Sequence, residues 1–355
     1  MRDVAVVGFA QRQMQGFDGS PTCVELLVPI FAELYEQTGF TKRDIGFWCS
    51  GSSDYLAGRS FSFVSAVDAI GALPPVTESH VEMDAAWALY EAWVKLQTGE
   101  VDTALVYGFG TSSAGVLRRT LALQLDPYTM TPLWPDTVSL AALQARLGLE
   151  AGLWDETAMA SVVARSLRDA ETNEYAVRRG GSAVADLIAR PAYADPLRKH
   201  DCAPVTDGAA AIVLAAGDRA RDARERPAWI TGIAHSVDPL ALGTRQLTGA
   251  PSARRAGSDA GGSTGPADVD VAELHAPFSH QELILRAELG LGDGVHVNPS
   301  GGALASNPMF SAGLIRIGEA ARRVWDGTAG RALGHATSGP LLQQNLVCVM
   351  SGEHS

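Results

Sequence analysis

Short apolar, β-branched runs alternate along the chain with stretches of helical period, the rhythm of an α/β protein with buried strands. Residues 4–8 make a first strand, and an amphipathic helix over 24–37 stops at Gly39. Residues 44–49 give a second strand that closes in the turn-rich SGSSD. A helix over 85–96 follows, with Asp84 as its N-cap, and then strands at 102–107 and 209–215. The second half repeats this grammar: strands at 228–235 and 269–274, a helix over 281–290, a long helix over 308–325, and strands at 331–336 and 345–350. Two similar halves, 1–225 and 226–355, suggest an internal duplication. The first half carries an insertion or cap at about 121–207, rich in proline and broken into helical patches. Residues 249–267, GAPSARRAGSDAGGSTGPA, have the composition of a flexible surface loop.

Composition changes this picture little, but it narrows the partners. The 355 residues are 46% hydrophobic and 19% charged, with a net charge of −12. That balance argues against nucleic acid held through phosphate contacts. The apolar start in MRDVAVVGFA is too short for a secretory signal, and no run approaches the roughly 20 apolar residues of a membrane helix. Cys23, Cys49, Cys202 and Cys348 are widely spaced and form no zinc or disulfide pattern. A cytoplasmic protein with reduced thiols, off the membrane, is the expectation.

The informative stretch for chemistry is VDVAELHAPFSHQELILRAELGL, 269–291. A buried strand ends at Leu274, and His275 stands at its carboxyl end, where α/β proteins place ligands. On that pattern alone a hydrogen-bonded structural histidine is the commoner case. ELHAPFSHQELILRAELGL resembles the HDCF-type motif and following helix of sterol-carrier-linked thiolases and lipid-transfer proteins. NPSGGALASNPMFSAGL (298–314), PVTDGAAAIVLA (204–215) and TGEVDTALVYGFG (98–110) resemble further stretches of that family, in the same order along nearly the whole chain. The resemblance implies a thiolase-like, duplicated, five-layered αβαβα fold.

The departures are as telling as the matches. Where thiolases open a helix with the nucleophilic cysteine, this chain reads HVEMDAAWALYEAW, with no cysteine, serine or threonine after Ser79. The family's Gly-His-Pro histidine falls on Asn307, and the Cys-x-Gly base motif has no counterpart in GHATSGPLLQQNLVCVMSG. What remains suits chemistry that develops charge on a thioester carbonyl without acyl transfer. The resemblance therefore implies a steroid or bile-acid side-chain aldolase cleaving a β-hydroxyacyl-CoA by retro-aldol reaction. It further implies a bulky acyl-CoA substrate, a homodimer, a small OB-fold partner with a zinc ribbon, and no cofactor or metal of the chain's own. The alternatives are a non-catalytic acyl-CoA or lipid-binding subunit and, behind it, an acetyl-CoA acyltransferase.

The candidate catalytic residues are His275, as donor or acid/base, Asn307, as an amide donor that does not titrate, and Asp84. Asp84 has capping as its commoner role, and base work if it points into the pocket. Glu82, His80, His335, Tyr55 and Tyr128 are weaker candidates. His280 reads as packed, Cys348 as an inert core thiol, and Arg254 with Arg255 as a surface pair within reach of a CoA phosphate.

Overall fold

The sequence TDGAAAIVLAA has no charge beyond its second residue and small or branched side chains throughout, so it can be buried on both faces. It forms the strand Thr206–Ala216, in which every residue is buried. Around it a computed structural model, describing residues 1–15, 21–57, 60–262 and 265–353, assembles a sheet of ten strands. In chain order these are β1 Val4–Gln15, β2 Phe47–Gly51, β3 Glu78–Val81, β4 Thr103–Gly110, β5 Thr206–Ala216, β6 Ala228–Val237, β7 Val271–Glu273, β8 His296–Val297, β9 Arg331–Ser338 and β10 Gln344–Ser351.

The sheet order is β8-β7-β9-β10-β6-β1-β5-β4-β2-β3. Each side of the central β6–β1 contact has the same plan. β2 runs parallel to β3 and β4, and β5 runs antiparallel to β4 and β1. Likewise β7 runs parallel to β8 and β9, and β10 runs antiparallel to β9 and β6. Among the described residues the two sets of five pair with each other through Ala5 opposite Trp229 and Val6 opposite Ala228.

Three cores separate the layers. The helices α1 Cys23–Thr38 and α2 Ser62–Ile70 cover the outer face of the first five strands, packing Leu27, Ile30 and Leu34 against Trp48, Leu105 and Val213. The central layer is α3 Ala85–Gln97 with its partner helix Ala312–Trp325; both bury their apolar faces between the two sets of five strands. The far face is covered by helices at Pro251–Gly261 and Ser279–Glu288 over Ala272, Leu333 and Val347. This is the expected five-layered αβαβα arrangement. Further along the chain run α4 Thr137–Glu150, α5 Glu156–Asp169, α6 Pro251–Gly261, α7 Ser279–Glu288 and α8 Ala312–Trp325.

Two expectations need correction. Residues 251–261 are a helix, not a loop. Pro251 stands in the first turn, where its missing N–H is harmless, and Ser252, Ala253, Ala256, Gly257 and Ala260 form a buried stripe at helical spacing. Small side chains let α6 lie close to β6: a Cβ on Gly232 would come within 1.9 Å of Ala260 O. Large apolar residues are absent from that face, so composition reads as loop. Residues 263 and 264 of the same stretch lie outside the described residues. Secondly, the second strand begins at Phe47, because residues 42–44 close a tight turn in which Asp44 accepts from Thr41 N–H at 2.9 Å.

Residues 121–207 contain α4 and α5, each started by an aspartate: Asp136 accepts from Ser139 N–H at 2.9 Å and Asp155 from Ala158 N–H at 2.7 Å. Among the described residues no helix is long and apolar enough to cross a membrane.

Candidate functional site

The strand β7 stops at Glu273 because the chain turns out of the sheet there, and three side chains fix the turn. Leu274 N–H donates to Asn298 Oδ1 at 2.6 Å, Asn298 Nδ2 donates to Glu282 at 2.8 Å, and Glu282 pairs with Arg165 of α5. Beneath them the buried Glu273 carboxylate accepts from Ser300 N–H (2.9 Å), Ser300 Oγ (2.7 Å) and Arg316 (3.0 Å). Such a network is stable only when fully satisfied, and it leaves little freedom to the residue that follows.

That residue is His275, 7% exposed. Its Nδ1 accepts from Thr337 N–H at 3.4 Å, and its Nε2 lies 3.0 Å from Asn307 Oδ1. Burial, with His335 and Arg316 nearby, pulls its pKa down to about 3, so the ring is neutral at pH 7. A neutral ring that accepts at Nδ1 carries its proton on Nε2, and the bond to Asn307 then runs from Nε2–H to Oδ1. Asn307 is held from behind, its backbone N–H donating to Thr206 Oγ1 at 3.0 Å. With its oxygen facing the histidine, its amide NH2 is left as a donor pair; among the described residues nothing accepts from it.

Asp84 is the N-cap of α3, as expected, but it does more. Its carboxylate accepts from Ala86 N–H (2.9 Å) in α3, and from Gly313 N–H (2.9 Å) and Leu314 N–H (3.1 Å) at the start of α8. One side chain therefore caps both central helices. Burial raises its pKa, opposed by the three N–H donors and Arg316. The remaining first-turn donor of α3, Ala85 N–H, is taken by Phe310 O at 2.9 Å. The close approach requires glycines, since a Cβ on Gly108 would lie 2.5 Å from Phe310 O and one on Gly51 2.5 Å from Ala85 Cα. The α3 terminus is thus closed by protein groups.

Asp84, His275 and Asn307 converge on one cavity of about 410 Å³, within the range of small-molecule sites. Apolar lining comes from Leu117, Leu121, Leu125 and Val138, and from Phe278, Leu341 and Leu342. Arg118, Arg178, Lys199 and Tyr193 supply polar groups. Asp84 is the carboxylate among the lining residues.

The other sequence candidates lie elsewhere. His80 contacts Ser50 (3.1 Å) and stacks on Phe63 near β3, with Glu82 beside it at 3.4 Å. His335 is bonded to Asn345 at 3.0 Å and His280 to Gln144 at 3.0 Å; neither lines the cavity. Tyr55 and Tyr128 are exposed and also outside it. Arg254 pairs with Glu288 and Arg255 with Asp259, so both have acidic partners. Cys348 is fully buried in β10.

Sequence reasoning missed Thr206, Arg178 and Thr337, and it named Cys202 without placing it at the site. Thr337 contributes through its backbone and Thr206 through a neighbour's, which no side-chain pattern announces. Cys202 lines the cavity, yet burial pushes its thiol up to about 12, the opposite of an activated nucleophile. Cys49 is likewise pushed up to about 12.

Buried neutral histidines give the fold a pH signature. His275 and His280 are lowered to about 3 and His335 to about 4, whereas the unfolded chain titrates near 6.5. Between those limits the unfolded state binds more protons. Their contribution to stability is full above pH ~6.5 and is lost as pH falls towards 3, by at most roughly 1.4 kcal/mol per pH unit for each ring. Urea melts at pH 7 and pH 5 should show this loss, reduced in the His280→Asn variant relative to its own pH 7 value.

No family model matches the chain. An acetyl-CoA acetyltransferase of Methanocaldococcus jannaschii is 28% identical over 352 residues, covering 90% of this chain and 89% of that protein. The 17-hydroxy-3-oxo-4-pregnene-20-carboxyl-CoA lyase of Mycobacterium tuberculosis is 38% identical over 104 residues, 27% of each chain. Among solved structures, the Ltp2–ChsH2 aldolase superposes with a TM-score of 0.81 at 19% identity, covering 99% of this chain and 98% of that one. Human mitochondrial 3-ketoacyl-CoA thiolase superposes at 0.76 and 16% identity, covering 99% of both. The chain has the thiolase-like fold, and its sequence homologues include thiolase-superfamily enzymes.

Proposed function

We propose that the protein is an acyl-CoA lyase that cleaves the carbon–carbon bond of a bulky, steroid-type β-hydroxyacyl-CoA by retro-aldol reaction. The observation that carries this reading is the neutral His275–Asn307 pair beside an apolar cavity whose lining cysteine is a high-pKa thiol. In this reading the thioester oxygen lies against the free Asn307 amide. Asp84 has about four lone-pair positions, three of them used by backbone donors, and the fourth takes the substrate hydroxyl. Its raised pKa makes it a better base than an exposed carboxylate.

The hydroxyl proton passes to Asp84, the oxygen forms the ketone as the bond between the α and β carbons breaks, and the electron pair moves into the thioester enolate. Hydrogen bonding from Asn307, whose acceptor side is fixed by His275, stabilises that charge. Asp84 gives up that proton, exchanged with solvent, to the enolate carbon, which yields the shortened acyl-CoA and restores the carboxylate. Atoms and charge balance with no oxidant, metal or free CoA.

Likeness to a pregnene-carboxyl-CoA lyase and to an aldolase supports a steroid acyl group. The aldolase's two-part name supports a second protein in the working assembly, which we take to be a small OB-fold subunit on a homodimer of this chain in the cytoplasm. The acetyltransferases that match over most of the chain favour acyl transfer instead, and the two readings differ in what they consume. Incubation with a steroid β-hydroxyacyl-CoA, with and without the partner, should release ketone and shortened acyl-CoA in equal amounts without added CoA. A strict requirement for free CoA, or no turnover in either assembly, would overturn the proposal.

A further inference from the structure

The cavity wall holds a cation that the reaction above does not use. Arg178 is half-buried and lines the pocket. Its backbone N–H donates to Ala305 O at 2.9 Å, two residues before Asn307, and its Nη1 donates to Cys202 O at 2.7 Å. Cys202 is in turn bridged to Phe278, three residues after His275. Arg178 is therefore tied to both segments that carry the pair.

Its charge is uncompensated. The neighbouring wall arginine, Arg118, is paired with Asp136. Among the described residues no carboxylate lies within ion-pair distance of Arg178, and burial lowers its pKa below the usual arginine value. A guanidinium has five N–H donors in a planar fork, so one backbone carbonyl leaves most of them unused. A half-buried cation with spare donors is matched by a ligand anion, and the fork suits the two oxygens of a carboxylate. The phosphates of CoA are separated from the thioester by the length of the pantetheine arm, which places them away from the segment adjoining Asn307.

We infer that Arg178 binds a carboxylate carried on the acyl part of the substrate, selecting CoA esters with a second acidic group. This rests on the reading of the cavity as an acyl-CoA site. The test is calorimetric binding of adipoyl-CoA, hexanoyl-CoA and free CoA to the full chain and to Arg178→Gln and Arg178→Lys. Adipoyl-CoA should bind the unaltered protein more tightly than hexanoyl-CoA. Arg178→Gln should weaken adipoyl-CoA by roughly ten- to a hundredfold and leave hexanoyl-CoA and free CoA within about twofold. Arg178→Lys, which keeps the charge but not the fork, should fall between them, and it carries the test if the glutamine variant fails to fold. Equal losses for all three ligands would mean a structural or phosphate contact and overturn the assignment, as would equal binding of the two esters to the unaltered protein. If neither ester binds at all, the acyl-CoA reading itself falls.

Discussion

Asp84→Asn is expected to lower carbon–carbon cleavage by roughly 10²–10⁴-fold, the usual contribution of a positioned general base. Asparagine keeps one acceptor oxygen for the helix termini but cannot take the hydroxyl proton. Its stability loss should stay near that of one lost charge-assisted bond, about 1–3 kcal/mol. Asp84→Ala removes every acceptor at once. It leaves Ala86, Gly313 and Leu314 N–H groups buried without partners between the two halves, and should destabilise by roughly 3–5 kcal/mol. Denaturant melts and single-turnover rates on both variants separate the roles. Activity of Asp84→Asn within a few-fold of the unaltered enzyme would leave Asp84 as a double cap and nothing more.

The second large effect is expected at Asn307. Asn307→Asp preserves the acceptor facing His275 Nε2 and removes only the amide NH2, replacing a donor with a negative charge where the enolate forms. The rate should fall by about 10²–10³-fold, as when one oxyanion donor is lost. Stability should change little at pH 7, because the shape and the bond to His275 persist. A new carboxylate beside the ring should also raise the histidine's pKa from about 3, visible as a titration shift by NMR. An undiminished rate in Asn307→Asp would remove this residue from the enolate site.

Much of this was legible in the chain because the signals are local. The strand-then-His275 step is carried by a buried apolar run, and Asp84 before AAWALYEAW is a helix start by residue type alone. What stayed hidden is long-range. That Asp84 also caps α8, some 229 residues later, depends on glycines 108 and 51 letting α3 approach its neighbours, which no periodicity records. The helix over 251–261 reads as a loop because its buried face is built from alanine, serine and glycine, residues whose composition is that of a loop. Thr206 and Thr337 fix the reactive pair through backbone bonds, so their roles appear only once β5 and β9 are in place. Arg178 shows the same limit: its meaning lies in the absence, among the described residues, of a nearby carboxylate, a property of the folded surroundings.

The central claim is that an enolate forms and is protonated with no acyl-enzyme. Turnover of a steroid β-hydroxyacyl-CoA in D2O, without added CoA and followed by mass spectrometry of both products and protein, tests it directly. The account predicts one deuterium on the α carbon of the shortened acyl-CoA, equal amounts of ketone, and an unmodified protein mass. An acyl adduct on Cys202 or another side chain, with product formed only when free CoA is supplied, would contradict it.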